Sequence, residues 1–160
     1  MKRLGLIAPI VLVATAAFAL ATLNAQASDP LIGSWKLDVS KSKWDPGPAA
    51  KSSTAKFEAA GTGLKVTVDG VTGAGDKTHF EYTAQYDGKD VKVAGNPDAD
   101  MIAMTRTSER VTQTVYKKGG KVTLTNRRSV SADGKTLTVT QTGTNAQGQK
   151  VNNALVYTKG

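Results

Sequence analysis

Catalysis needs reactive groups within reach of one another, and this chain of 160 residues carries few of them. It has one histidine, His79, and no cysteine, so thiol chemistry is excluded and a zinc-type site lacks ligands. By the parity that turns Phe80 and Tyr82 inward, His79 falls on the polar face of a strand beside Glu81. No Gly-x-Ser-x-Gly nucleophile turn occurs. Asn96, Asp98 and Asp100 alternate through a loop and offer oxygens to a hard cation such as calcium. An Asx-rich turn with Asp98 pre-set by Pro97 accounts for them more simply. The chain therefore reads as a non-enzyme, with no cofactor and no metal.

A second set of polar residues is more informative, because its members sit among apolar neighbours. Alternation with Val111 and Val115 turns Gln113 inward, and alternation with Val122, Leu124 and Val130 does the same for Asn126 and Arg128. Gln141 shares a face with Leu137 and Val139; Asn153 and Tyr157 share one with Val151 and Leu155. Buried polar groups are costly unless paired, and a buried charge more so. Arg128 in an interior requires a carboxylate, ordered water or a bound anion. An apolar lining with a few polar anchors describes a ligand cavity. Arg128, Tyr157, Gln141 and Asn153 would orient the ligand, and Tyr82 and Phe80 would join an apolar lining of Phe57, Leu64, Val66, Val68, Tyr86, Met101, Leu124, Val139 and Leu155. The alternative is that these polar groups satisfy one another or lie at a wet rim. A one-residue slip would exchange Arg127 for Arg128.

Short strands must position these residues. Ten are expected, the first at Gly33–Val39 with Trp35, Leu37 and Val39 on one face, the last at Lys150–Lys159. Phe80, Tyr82, Ala84 and Tyr86 form the aromatic stripe of the fourth. Asp87-Gly88 predicts a tight hairpin into the fifth. Asp133-Gly134 and Asn145-Ala146-Gln147-Gly148 predict later turns. Only Lys41–Ser53, with Trp44-Asp45-Pro46-Gly47-Pro48, is too rich in Pro and Gly for any ladder and must lie over the fold. Trp44 is expected to pack on the outer wall, with capping of the barrel mouth as the alternative, and Trp35 to plug the core. Short connections make sequence neighbours sheet neighbours. The expected class is all-β: an antiparallel up-and-down β-barrel of about eight to ten strands, with a sandwich as alternative.

Residues 1–27 read as a signal peptide: Lys2 and Arg3, an apolar Ala-rich run, then Ala25-Gln26-Ala27 for cleavage. Residues 28–160 form one domain, expected in the periplasm or secreted. Removing Lys2 and Arg3 takes the net charge from +8 to +6. The lysines are scattered over outward faces, which argues against nucleic acid as a partner. Aromatics at 6% and a Thr/Lys-rich face argue against a membrane barrel. The expected partner is a small apolar or amphipathic molecule, bound by a monomer with no stable membrane insertion after cleavage. A packed structural or protein-interaction barrel is the alternative.

Gly33-Ser34-Trp35 opening the first strand resembles the G-x-W start of the calycins, the lipocalins and fatty-acid-binding proteins. The C-terminal run, through Arg128-Ser129-Val130, Asp133-Gly134-Lys135 and Tyr157-Thr158-Lys159, is similar to the closing strands of a fatty-acid-binding protein. The resemblance implies a calycin-like barrel in which arginines and a tyrosine hold a carboxylate. Arg128 and Tyr157 stand at matching positions, but Leu155 replaces the second arginine, and the Pro/Gly loop replaces the family's helical lid. The mature chain also resembles a group of uncharacterised secreted bacterial proteins, through Trp35-Lys36-Leu37-Asp38, Gly95–Asp100 and Asn145–Gln149 with Val151-Asn152-Asn153.

Overall fold

The computed structural model describes residues 28–160; the expected leader, Met1–Ala27, lies outside them. Ten antiparallel strands follow one another: β1 (Gly33–Leu37), β2 (Ser52–Ala60), β3 (Gly63–Val71), β4 (Lys77–Ala84), β5 (Asp87–Lys92), β6 (Met101–Ser108), β7 (Val111–Lys118), β8 (Lys121–Val130), β9 (Thr136–Thr144) and β10 (Lys150–Lys159). They form one sheet in the order β4-β3-β2-β1-β10-β9-β8-β7-β6-β5. Each strand pairs with its chain neighbour, except that β1 also pairs with β10 and β4 does not form a hairpin with β5. The sheet rolls into a nearly closed barrel whose two edges touch at Glu81 and Ala94, through two backbone hydrogen bonds of 3.3 and 3.4 Å.

The expected Asp87-Gly88 hairpin is thus corrected. Gly88 takes the positive φ its sequence suggested, +71°, but inside β5, where the pairing with β6 shifts register. The signal was read as a turn although it encodes a bulge. At the other end of the order, β1 is half as long as β10, and the Pro/Gly segment continues its pairing. Asp38 N–H donates to Val156 O, Lys43 bridges Ala154, and Asn152 N–H donates to Asp45 O at 2.7 Å. The segment lies along the wall and closes over one end of the barrel.

Phe57, Leu64, Val66, Leu137, Val139 and Leu155 turn inward as alternation requires. Trp35 is fully buried near the barrel's N-terminal end, its Nε1–H donating to Leu31 O at 2.7 Å. Two strands depart from the expected parity. In β7 the buried residues are Thr112, Thr114 and Tyr116, so Gln113 faces outward opposite exposed Arg127. In β6 Ile102 and Met104 are fully buried, while Met101 is half-buried and pairs with Lys117. This parity buries the large Tyr116 ring and brings the Thr114 hydroxyl within reach of Arg128. Val122 is 60% exposed, because the β7–β8 register shifts at Tyr116/Lys117 and ends the inward alternation there.

Candidate ligand cavity

The open end of the barrel gathers the β1–β2 segment, the β3–β4 turn, the β5–β6 loop and the β9–β10 turn. From it a cavity of about 310 Å³ runs inward, lined by Trp44, Ala50, Ala55, Phe57, Val68, Phe80, Asn96, Pro97, Tyr116, Leu124, Asn126, Arg128, Leu137, Val139, Gln141, Leu155 and Tyr157, among others. Trp35, Leu64, Val66, Ile102 and Met104 do not line it; they are fully buried in the hydrophobic core.

Arg128 lies at the inner part of this cavity and is 4% exposed. Its Nη1 donates to Thr114 Oγ1 at 2.5 Å, and its Nη2 to the hydroxyls of Tyr82 at 3.1 Å and Tyr116 at 3.3 Å. Its guanidinium carbon lies 5.6 Å from the centre of the Phe57 ring. Burial works against its charge, but the Tyr82 and Tyr116 oxygens hold its pKa above the ordinary arginine value. Burial, with Tyr82 close by, pushes the Tyr116 hydroxyl well above its usual pKa. Burial also raises that of Tyr157, whose hydroxyl donates to Ser53 Oγ at 3.4 Å. The arginine is thus ringed by the hydroxyl groups of Thr114, Tyr82 and Tyr116. Among the described residues, no carboxylate belongs to the buried set, which is Thr112, Thr114, Asn126, Arg128 and Asn153 on its polar side. Arg128 is the one charged member of that set among the described residues.

Of the six residues singled out from the sequence, Arg128, Tyr157, Gln141 and Phe80 line the cavity. Tyr82 stands behind it as a partner of Arg128. Asn153 is engaged with protein on both sides: its Oδ1 accepts from Asp45 N–H at 2.8 Å, and its Nδ2 donates to Gln141 Oε1 at 3.0 Å. It ties the segment carrying Trp44 to the wall. Within the expected apolar lining, Phe57, Val68, Leu124, Val139 and Leu155 reach the cavity, whereas Leu64 and Val66 are packed core and Met101 faces away. Tyr86 lies at the opposite end, where its hydroxyl and Arg106 both donate to Asp29. Sequence reasoning missed Tyr116 and Thr114 through the inverted parity of β7. For Trp44 it favoured the outer wall over the barrel mouth, whereas Trp44 lines the cavity. An aromatic flanked by Pro and Gly in the one long connection was the available signal.

The other candidate chemistry is used locally. Asn96 Oδ1 accepts from Asp98 N–H at 2.9 Å, Asp98 Oδ1 from Ala146 N–H at 2.7 Å, and Asp100 Oδ2 from Gly119 N–H at 2.9 Å. These carboxylates pin neighbouring turns to the open end. His79 is exposed, with Nδ1 2.7 Å from Asp69 Oδ1 on β3. Among the described residues, no group of three or more His, Asp or Glu is placed to hold a metal ion.

No protein-family model matches the sequence, and no curated protein matches it significantly. Among solved structures the chain is similar to the zebrafish ileal bile acid-binding protein complexed with cholic acid. The TM-score is 0.52 at 14% identity, over 82% of this chain and 99% of that one. It is also similar to a redesigned β-barrel, mFAP1, bound to DFHBI, with a TM-score of 0.43 at 13% identity over 79% of this chain and 94% of that one. The likeness to the zebrafish protein is one of fold, an up-and-down antiparallel β-barrel.

Proposed function

We propose that this protein binds a small amphipathic molecule in its barrel and does not transform it, with an anionic group of the ligand directed at Arg128. The observation that carries the reading is the buried guanidinium: it opens onto a cavity and has no protein carboxylate to balance it. Leaving a charge uncompensated in an interior costs several kcal/mol, so a fold that keeps one beside an opening suits an incoming anion. The cavity wall is otherwise mainly apolar, which supports a ligand with a hydrocarbon body. At about 310 Å³ the cavity is at the small end of ligand pockets, in keeping with a compact guest. The zebrafish protein of the same fold is complexed with cholic acid, itself an amphipathic acid. The void also counts against a packed barrel acting only through its exterior.

Calorimetric titration with decanoic acid tests the reading. Binding to the wild type is expected, with at least a tenfold loss in Arg128→Met, since a charge-assisted contact contributes about 1.5–3 kcal/mol. Equal affinity in both proteins, or none in either, would overturn it. Export by the Met1–Ala27 leader belongs to the same proposal. N-terminal sequencing of protein recovered from the secreting host is expected to begin at Ser28, and a retained leader would refute it.

A further inference from the structure

The orientation of one side chain in the cavity wall is dictated by the main chain. Asp45 N–H only donates, so the Asn153 atom that meets it at 2.8 Å must be Oδ1. Asn153 Nδ2 then points the other way and donates at 3.0 Å to Gln141, whose accepting atom must be Oε1. The free end of Gln141 is therefore Nε2, which carries two N–H donors. Gln141 is half-buried on the inward face of β9 and lines the cavity. Its Nε2 has no protein partner among the described residues, yet it is not one of the atoms buried without a partner, which are Trp44 Nε1, Thr112 Oγ1 and Asn126 Oδ1. It is open to the space that a guest would fill. The same holds for Arg128 Nε–H: Nη1 and Nη2 serve Thr114, Tyr82 and Tyr116, while Nε is neither bonded nor among the buried unpartnered atoms. The two donors belong to successive rungs. Arg128 pairs with Val139, and Gln141 follows two residues later, about 7 Å along β9 toward the open end.

We infer that Gln141 is a specificity-determining residue, selecting an acid that carries a second acceptor oxygen, such as a ketone, nearer the barrel mouth than its anionic group. This rests on the proposed binding function and narrows it, because a plain fatty acid would bring only hydrocarbon to Nε2. Asn153 is the positioning residue. By occupying Oε1 it keeps the donor end of Gln141 turned to the guest, so the wall offers hydrogen bonds there and accepts none.

Calorimetric titration with decanoic acid and its 4-, 5-, 6- and 7-oxo derivatives tests this. At least one oxo acid is expected to bind about three- to tenfold more tightly than decanoic acid, as one gained hydrogen bond allows. Gln141→Met, similar in length but without the donor, is expected to erase that preference and to keep its affinity for decanoic acid, which also shows that the variant is folded. Asn153→Asp retains an acceptor for Asp45 N–H and loses the donor to Gln141. It is expected to shrink the same preference, and because all the acids carry one charge, the ratio of affinities is insensitive to the charge introduced. A ratio unchanged in Asn153→Asp would refute its positioning role. Equal affinity for all the acids in the wild type, or a preference that survives Gln141→Met, would overturn the inference and leave the binding function standing. If no acid binds, the binding function falls and the inference with it.

Discussion

Arg128 poses a question at the level of a single side chain: does it serve the fold or a guest? Three hydroxyls accept from it, and hydrogen bonds to a charged group contribute about 1.5–3 kcal/mol each. Against this stands the desolvation of a guanidinium with no carboxylate in the interior. The two largely offset, so Arg128→Met is expected to change unfolding free energy by no more than about 1 kcal/mol in urea titrations while removing affinity for an acid. A loss above about 3 kcal/mol would assign the arginine to a structural network. Trp35 is the contrasting case, fully buried and with its N–H satisfied by Leu31 O. Trp35→Ala is expected to cost about 3–5 kcal/mol, and a change below 1 kcal/mol in the same titration would contradict its role as the core plug. Both residues were legible in the sequence, because each alternates with unambiguous apolar neighbours. Tyr116 and Thr114 were not. In Val111–Tyr116 both faces look burial-competent, and only the position of Arg128 across the β7–β8 pair decides which one turns inward.

Between elements, the weak place is the seam. Nine strand pairs form hydrogen-bonded ladders, whereas β4 and the chain just beyond β5 are joined by the isolated bridge between Glu81 and Ala94. Gly95 follows at φ +78°, and a Cβ there would lie 2.3 Å from His79 O on β4. Both the backbone conformation and the close approach require glycine. Gly95→Ala is therefore expected to push the edges apart and cost about 1–3 kcal/mol. Hydrogen exchange would locate the effect, with faster exchange at the Glu81 and Ala94 amides and unchanged protection in β8 and β9. Uniform protection throughout would show that the seam is not held by this contact. Strand identity was readable because period-two alternation is a local signal. The seam was not, because Asp87-Gly88 has the composition of a tight turn and only the path of β5 toward β6 makes it a bulge. The segment from Lys41 to Ser53 was similarly half-legible: its prolines excluded a ladder of its own, while its pairing along β10 depends on a strand more than a hundred residues away.

Over the whole barrel, closure gathers the aromatic residues where water is scarce, and this couples the fold to alkaline pH. The up-and-down order itself could be anticipated from short connections, but the split between packed floor and open cavity is set by how side chains of different size share one interior, which no single strand encodes. Three tyrosines record that shared burial. Tyr86, Tyr116 and Tyr157 all have hydroxyl pKa values raised above 10.0, first by burial, with the Asp29 carboxylate adding to Tyr86 and Tyr82 to Tyr116. A raised pKa on an acid means that the folded state keeps protons the unfolded chain gives up. The stability this confers is complete below pH 10 and is lost as pH rises beyond it. Each of the two deeply buried ones, Tyr116 and Tyr157, contributes a slope of up to about 1.4 kcal/mol per pH unit, so together they predict a fall of up to about 3 kcal/mol per unit above pH 10, with the half-buried Tyr86 adding less because solvent screens it. Absorbance at the phenolate band during a slow pH titration would follow it. These three tyrosines are expected to stay protonated through pH 10 and then ionise together with the loss of β-sheet circular dichroism. Independent ionisation of all the tyrosines near pH 10, with the sheet intact, would show that the interior around Arg128 is open to solvent and that the barrel is not the closed tube its strand order describes.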